Sequence, residues 1–371
     1  MRLVPIDALK SGEILASSIT NANNQILMKE GATLTPKMIN RIRVYGIHSI
    51  YIQDPEMNQF LKGDVKTNIR PFTRNNSVKK VKTSFEKFEY QLERQKKNLR
   101  YGDSGCELLQ NVKVISNDLI DEILESSNTE ISMIDIKSIN DYQYSHSVSV
   151  SVLSLIIGTE LGLSIKELED LAYGALLIDI GCKWIDPDLL SSDGKISNQE
   201  MENIRDHVNV GYEYITNNTS FNAHVKSIIM HHHERIDGSG YPKGLKGDEI
   251  HPLAKIVMIA DVYDALTSDR PYRKAYNQHE AIEYILAHAS SKFDFEIAQI
   301  FARKVIPFPV GTYVLLTNNQ KGVVTENNLN HPLRPNLRVF GKSKYTNENS
   351  VQINLLNNNN VTIAKIIHSL T

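Results

Sequence analysis

The chain has 371 residues, a length that predicts about two or three domains. Apolar residues make up 41% and charged residues 23% of it, which excludes a wholly disordered protein. Its 41 Lys and Arg against 43 Asp and Glu give a net charge of -2, so no global positive field favours DNA or an anionic membrane. With two cysteines, no signal peptide and no apolar run long enough for a membrane span, we expect a cytoplasmic protein.

Residues 1–54 are predicted to form a small N-terminal α/β domain. Strand-like segments at 25–28 and 47–52 flank a helix that is capped by Thr35-Pro36 and ended by Gly46. No residue in this domain suggests chemistry, so we expect an accessory role.

Residues 55–103 are predicted to be a basic linker followed by a helix. Between residues 61 and 100 there are twelve Lys or Arg and four Asp or Glu. We interpret this excess as a solvated linker and helix face, and an anionic partner is the alternative.

Residues 104–305 are predicted to be a helical bundle, because apolar residues recur at spacings of three and four. Helices are expected near 143–161, 165–178, 197–217, 222–234, 252–267, 278–288 and 294–305. Residues 306–371 instead predict a small β-rich segment, with short runs at 313–316, 322–325, 337–340 and 351–355. The chain is therefore expected to be mainly α-helical.

Seven of the twelve histidines lie in the predicted bundle between residues 146 and 251. They are His146, His207, His224, His231, His232, His233 and His251. Imidazole binds zinc, iron and related metals, and the same region supplies the carboxylates of Asp179, Asp261 and Asp264. An aspartate between two cations would suit attack of an activated water on a phosphodiester. Clustering alone leaves open that the histidine triplet is an exposed polar helix end.

The residues that follow the triplet resemble the signature of the HD-GYP family, a branch of the HD-domain metal-dependent phosphohydrolases. They are His232-His233-Glu234-Arg235-Ile236-Asp237-Gly238-Ser239-Gly240-Tyr241-Pro242. Segments at His146-Ser147, 207–211, 261–273 and Phe293-Asp294 agree with the family in order and spacing. The resemblance covers about residues 135–305 and implies an HD-domain helical bundle.

The resemblance implies hydrolysis of cyclic di-GMP to linear pGpG or GMP at two divalent ions, iron or manganese. The metal ligands that it implies are His146, Asp179, His207, His232, His233 and Asp261, with Asp179 as the catalytic bridge. It implies that the substrate phosphates are held by Tyr241, Arg270 and Arg273. Asp264, three residues after Asp261, is expected to contribute to catalysis by orienting a ligand or a base.

The chain departs from the family at the motif that names it. The family has His-Asp followed by Ile-Gly-Lys, and this chain has Ile178-Asp179-Ile180-Gly181-Cys182. Because an isoleucine cannot ligate, one of the two metal sites is expected to lack a ligand. We interpret Cys182 as a small buried apolar residue, and a thiolate ligand beside a metal is the alternative.

Two functions of different classes follow from these residues. The first, which we favour, is a metal-dependent phosphodiesterase acting on cyclic di-GMP. The second is a catalytically degenerate HD-GYP protein that regulates by binding a nucleotide or a signalling protein, and Ile178 and Cys182 support it. A phosphohydrolase acting on another phosphate ester is a third hypothesis, which the Gly-Tyr-Pro turn disfavours. The sequence specifies no oligomeric state.

Overall fold

The structure is a computed structural model that describes residues 2–20, 26–44, 49–54, 71–96, 104–125, 142–190, 197–268, 275–328, 330–341 and 350–367. It contains two compact units. The first unit combines residues 1–68 and 130–140 with residues 302–371, and the second combines residues 69–129 with residues 141–301. Within the described ranges, no helix is both long enough and apolar enough to cross a bilayer.

The first unit contains short antiparallel strands from both ends of the chain. They are β1 (Arg2–Pro5), β2 (Ile19–Thr20), β3 (Ile26–Met28), β4 (Ser49–Ile52), β5 (Tyr313–Leu316), β6 (Lys321–Glu326), β7 (Asn336–Phe340), β8 (Ser350–Asn354) and β9 (Ile363–Ile366), and helix α1 (Pro36–Val44) precedes β4. β1 pairs with β4, β2 pairs with β3, and the other five form one sheet in the order β8-β7-β6-β5-β9. Strands β1, β2 and β9 were not predicted from the sequence.

The second unit is helical, so the prediction of a mainly α-helical chain is confirmed. Its helices are α2 (Pro71–Lys96), α3 (Ser104–Glu125), α4 (Tyr142–Glu160), α5 (Ile165–Leu177), α6 (Pro187–Leu190), α7 (Asn198–Arg205), α8 (His207–Asn218), α9 (Ala223–His231), α10 (Pro252–Leu266), α11 (Gln278–Ala287) and α12 (Phe295–Lys304). Local signals set several of the starts. Ser164 and Glu167 form a capping box at α5, and Ser197 and Glu200 form another at α7.

The core of the helical unit is built around α4 and α10. Residues 145–158 of α4 are buried on every side of the helix, and α10 is buried from Leu253 to Asp264 except at Val262. A helix that is buried on every side lies inside a core and not at its surface. α4 packs on α5 and α10, and α9 packs on α5, α8 and α10. These packed helices carry most of the histidines and carboxylates that the sequence analysis singled out.

The single helix predicted near 197–217 is two helices in the structure. The interruption falls at Asp206, whose ψ of -10° departs from the helical value. The His207 ring donates through Nδ1 to the carbonyl oxygen of Ile204 at 2.7 Å, so a side chain takes the place of a backbone donor there. α8 therefore starts at His207, and its imidazole is buried.

Helix α2 packs against the helical core through aromatic side chains. The Phe88 ring is 1% exposed and meets Trp184 at 5.8 Å and Tyr214 at 5.0 Å between ring centroids. Nearby, Lys183 Nζ lies 2.6 Å from Glu89 Oε1. The helix that ends the basic stretch is therefore fixed to the turn that follows Asp179.

Replacing Phe88 with Ala should lower the free energy of unfolding of the protein by about 3–5 kcal/mol, because it removes a buried ring and leaves a cavity. Tyr90 on the same helix is 62% exposed, so Tyr90→Ala should change stability by no more than about 0.5 kcal/mol. Urea unfolding of both variants measures the difference. Equal losses would contradict the packing of α2 on the core.

Candidate metal centre

The six residues that the sequence analysis named as metal ligands all lie in the helical unit. They are supplied by α4 (His146), the residues directly after α5 (Asp179), α8 (His207), the residues after α9 (His232 and His233) and α10 (Asp261). The first and the last are more than a hundred positions apart, so only the packing of the helices can bring them together.

The two carboxylate oxygens of Asp179 face different histidines. Oδ2 lies 3.7 Å from His146 Nε2, and Oδ1 lies 3.7 Å from His207 Nε2. A Cβ at Gly181 would overlap the His207 carbonyl oxygen, so glycine permits the chain after Asp179 to approach α8 this closely. A carboxylate that presents one oxygen to each of two histidines suits a bridge between two cations.

Asp261 connects His146 with His233 in the same way. Its Oδ1 lies 3.2 Å from His146 Nε2, and its Oδ2 lies 3.5 Å from His233 Nδ1. Burial alone would raise the pKa of Asp261, but contact with His146 and the nearby His233 holds this pKa below its ordinary value. Asp261 is therefore a carboxylate, as a metal ligand must be.

The unprotonated ring nitrogens of His207 and His232 face each other. Nδ1 of His207 donates to the Ile204 carbonyl at 2.7 Å, and Nδ1 of His232 donates to the Ile229 carbonyl at 2.9 Å. Because a carbonyl oxygen only accepts, each Nδ1 carries the proton of its neutral ring, and each Nε2 keeps a lone pair. The two Nε2 atoms lie 3.4 Å apart without a proton to share. A cation between them satisfies both, so these residues fit a metal ion.

Burial keeps His232 and His233 neutral. Burial, and to a smaller extent the neighbouring His207, lowers the pKa of His232 to about 4. Burial and the adjacent His232 lower the pKa of His233 well below its ordinary value. Neutral imidazole is the form that binds metals, so these two histidines have the protonation state that ligation requires.

Asp264 orients His146. Its Oδ2 accepts a 2.7 Å hydrogen bond from His146 Nδ1, and its side chain is also reached by the Ser268 hydroxyl at 3.4 Å. The bond directs His146 Nε2 toward Asp179 and Asp261. Histidine ligands commonly donate their second ring N–H to a carboxylate in this way. Asp264 lies where an orienting residue is expected, and its part in catalysis stays a prediction.

Tyr241 stacks beside the centre. Its ring lies 4.8 Å from the His233 ring, and the Arg205 guanidinium lies 5.2 Å from the Tyr241 centroid. Burial raises the pKa of the Tyr241 phenol, so the hydroxyl keeps its proton and can donate. Arg270 and Arg273 lie outside the described residues, so their assignment to the substrate phosphates stays a prediction.

The sequence analysis missed Arg205, which ends α7 two residues before His207. Among the described residues, no carboxylate pairs with its guanidinium, which is free to bind an anion. The predicted continuous helix over 197–217 did not indicate that this side chain lies beside Tyr241. Its position next to a predicted ligand was the available signal.

Glu234 holds the turn that presents Tyr241. Its side chain is fully buried, and its two oxygens accept from the backbone N–H of Lys243 at 2.8 Å and of Leu245 at 3.1 Å. A Cβ at Gly240 would overlap the backbone of Glu234, so the turn closes only with glycine there. The sequence analysis gave Glu234 no role beyond the motif.

The ligand atoms are closest together around His207. Within the described part of the chain, two groups have ligand atoms within 4.8 Å of one another, His207–His232–His233 and Asp179–Cys182–His207. The second group contains Cys182, which was not among the predicted ligands. His224 instead approaches Asp170, at 3.1 Å.

Two parts of the chain match known protein families. Residues 128–297 match the family described as HD domain. Residues 313–370 match the family described as KOW domain associated with HD domain. The segment predicted only to be β-rich therefore matches a domain type that is associated with HD domains.

Several curated bacterial proteins are similar to this chain. A cyclic di-GMP phosphodiesterase of Pseudomonas aeruginosa is 36% identical over 229 residues, 61% of this chain and 55% of that protein. A cyclic di-GMP phosphodiesterase response regulator of Xanthomonas campestris is 39% identical over 140 residues, 38% of this chain and 37% of that protein. A 3'3'-cGAMP-specific phosphodiesterase of Vibrio cholerae is 31% identical over 186 residues, 50% of this chain and 42% of that protein. The similarity thus spans about half of these relatives or less.

Glu234→Gln should destabilise the protein by about 1–3 kcal/mol, because the amide turns an N–H toward a backbone N–H and leaves a buried donor unsatisfied. Glu249 accepts from Lys246 N in the same loop but is exposed, so Glu249→Gln is the matched control and should cost less. Urea unfolding compares the two variants. Equal stability of the two would contradict the role of Glu234 in the turn.

Proposed function

We propose that the chain is a metal-dependent phosphodiesterase of the HD-GYP type that hydrolyses cyclic di-GMP to pGpG or GMP. Its residues 128–297 match the family described as HD domain, and a similar protein carries the name cyclic di-GMP phosphodiesterase. The observation that carries the proposal is Asp179, whose two oxygens face histidines on opposite sides of one centre. This donor arrangement supports two cations next to one bridging carboxylate, and such centres suit phosphodiester hydrolysis.

The residues around Asp179 form the proposed metal centre. One ion would be held by Asp179, His207, His232 and His233, and the other by His146, Asp179 and Asp261. Divalent ions bound here would supply an activated water and polarise a phosphoryl oxygen. Imidazole and carboxylate donors are compatible with iron or manganese, which we propose as the usual occupants.

The chain's own side chains would bind and orient the substrate. Tyr241 is placed to donate its phenolic hydrogen beside His233, and Arg205 is placed to pair with a phosphate through its planar fork of donors. Asp264 keeps His146 in the ligating tautomer. Arg270 and Arg273 are further proposed phosphate contacts from the sequence.

The substrate class is a cyclic dinucleotide. Some relatives carry names that refer to cyclic di-GMP and others carry names that refer to 3'3'-cGAMP, so the two molecules are the pair to compare. We propose cyclic di-GMP because the relatives with 36% and 39% identity carry that name.

The alternative is a degenerate family member that binds a nucleotide or a signalling protein without turnover. It is favoured by Ile178, which is fully buried where the family has a ligating histidine. The ion beside His146 is therefore left with fewer protein ligands than the ion beside His207. A protein with one well-held ion could bind a substrate and still fail to hydrolyse it.

An assay of the full chain, stripped of metal and reconstituted with Mn²⁺ or Fe²⁺, distinguishes the phosphodiesterase from the degenerate family member. We expect cyclic di-GMP to be converted to pGpG, with slower conversion of 3'3'-cGAMP, as followed by chromatography. Asp179→Asn should lose both product and bound metal, because it removes the bridging charge. Asp188→Asn, at an exposed site, is the control. Binding of the nucleotide without product would support the degenerate alternative instead.

Arg205→Ala should lower kcat/KM for the cyclic dinucleotide roughly tenfold to a hundredfold, since a hydrogen bond to a charged group contributes about 1.5–3 kcal/mol. Arg205→Lys should recover part of the loss, because it keeps the charge but not the planar fork. Lys166→Ala, at the distant start of α5, is the charge control. Unchanged kinetics in Arg205→Ala would exclude Arg205 from the substrate site.

A further inference from the structure

The HD motif of this chain differs from the family at two positions on one turn, Ile178 and Cys182. Ile178 is fully buried and offers no ligand atom. Cys182 stands where the family has a lysine, so the second change adds a donor atom that the family pattern lacks. The question is whether this sulfur lies within reach of a cation.

The sulfur of Cys182 lies beside two of the proposed ligands. Its Sγ is 3.9 Å from Asp179 Oδ1, the oxygen that also faces His207. Ligand atoms of Cys182, Asp179 and His207 are all within 4.8 Å of one another. The sulfur is therefore on the His207 side of Asp179, and small shifts would bring all three atoms to one ion.

A separate observation points to a cation bound by His207, the residue that this group shares with His232 and His233. His232 is fully buried, and its Nε2 lone pair faces the Nε2 lone pair of His207 at 3.4 Å. No proton lies between them, because both rings carry their proton on Nδ1. The ion that satisfies this pair is bound to His207, next to the sulfur.

The local backbone explains why Cys182 reaches the centre while Lys183 does not. Residues 180–184 form a tight 3-10 turn in which Cys182 N–H donates to the Asp179 carbonyl at 3.0 Å. Lys183 points toward α2, where its Nζ lies 2.6 Å from Glu89. The same Nζ donates to the Tyr144 hydroxyl of α4 at 3.4 Å. The amine next in sequence thus cannot replace the family's lysine.

We propose that Cys182 binds, as a thiolate, an ion held by Asp179 and His207. This inference deepens the proposed function, since it rests on the metal centre of that function and not on turnover. When the ion binds, a metal–sulfur bond forms and the thiol proton is released to solvent. Burial and the charge of Asp179 raise the pKa of the thiol, so the metal-free centre keeps that proton.

A thiolate ligand changes which ions the centre prefers. Thiolates are soft donors that favour zinc, ferrous and cobaltous ions, whereas manganese favours carboxylate and water. The site beside His207 should therefore bind Zn²⁺, Fe²⁺ or Co²⁺ in preference to Mn²⁺. The site beside His146 contains no sulfur among its described ligands and should not show this preference.

The test is a Co²⁺ titration of the metal-stripped full chain, followed by near-ultraviolet absorption. Wild type should show a sulfur-to-cobalt charge-transfer band. The Cys182→Ser variant should still bind Co²⁺, but without the band and with an affinity that is lower by about tenfold or more. Cys106→Ser, which removes the other cysteine, is the matched control and should keep the band. Mn²⁺ affinity should be almost the same in all three proteins.

A second measurement avoids substitutions altogether. In the wild-type chain, Zn²⁺ should protect Cys182 from alkylation by iodoacetamide, as read from the labelled peptide by mass spectrometry, and removal of the metal should abolish the protection. A missing band, a band that survives in Cys182→Ser, or labelling that ignores Zn²⁺ would overturn the proposal. Hydrolysis of cyclic di-GMP is measured separately: product without the band contradicts the cysteine ligand alone, and the band without product contradicts the phosphodiesterase alone.

Discussion

The centre depends on electron pairs that the fold brings together without protons between them. His207 and His232 face each other through unprotonated nitrogens, and Asp179 extends one oxygen to His207 and the other to His146. In a buried environment such groups are costly unless a positive charge satisfies them. Binding of a cation and stability of the folded centre are therefore coupled, because the ligands meet only in the folded state.

A second layer of contacts determines which atoms face the centre. Carbonyl oxygens of Ile204 and Ile229 hold the protons of His207 and His232 on Nδ1, and Asp264 does the same for His146. These contacts fix both the ring orientation and the tautomer, so the ligating nitrogen of each ring is set before an ion arrives. The interruption between α7 and α8 belongs to this layer, since it places His207 at a helix start.

The differences from the family motif at residues 178 and 182 leave the two proposed metal sites with unequal sets of donor atoms. On the His146 side, the buried Ile178 stands where the resemblance implies a histidine, whereas the His207 side has Cys182 next to Asp179. Residues 128–297, which surround this difference, match the family described as HD domain. Shared architecture therefore carries less information about turnover than the ligands at these two positions.

The sequence alone determined the helical nature of residues 142–304 and the residue types that surround the centre, because apolar periodicity and caps are local signals. The family resemblance then implied which residues are metal ligands. From the sequence, it was only an expectation that these residues lie close together in space. Only the tertiary structure decided that Cys182 lies beside Asp179 and that Arg205 reaches Tyr241. Both facts depend on the tight turn after α5 and on the break at Asp206. The turn after α5 also packs on α8 through Gly181, and Arg205 meets a tyrosine from a distant turn; no local pattern records contacts between residues this far apart in the chain.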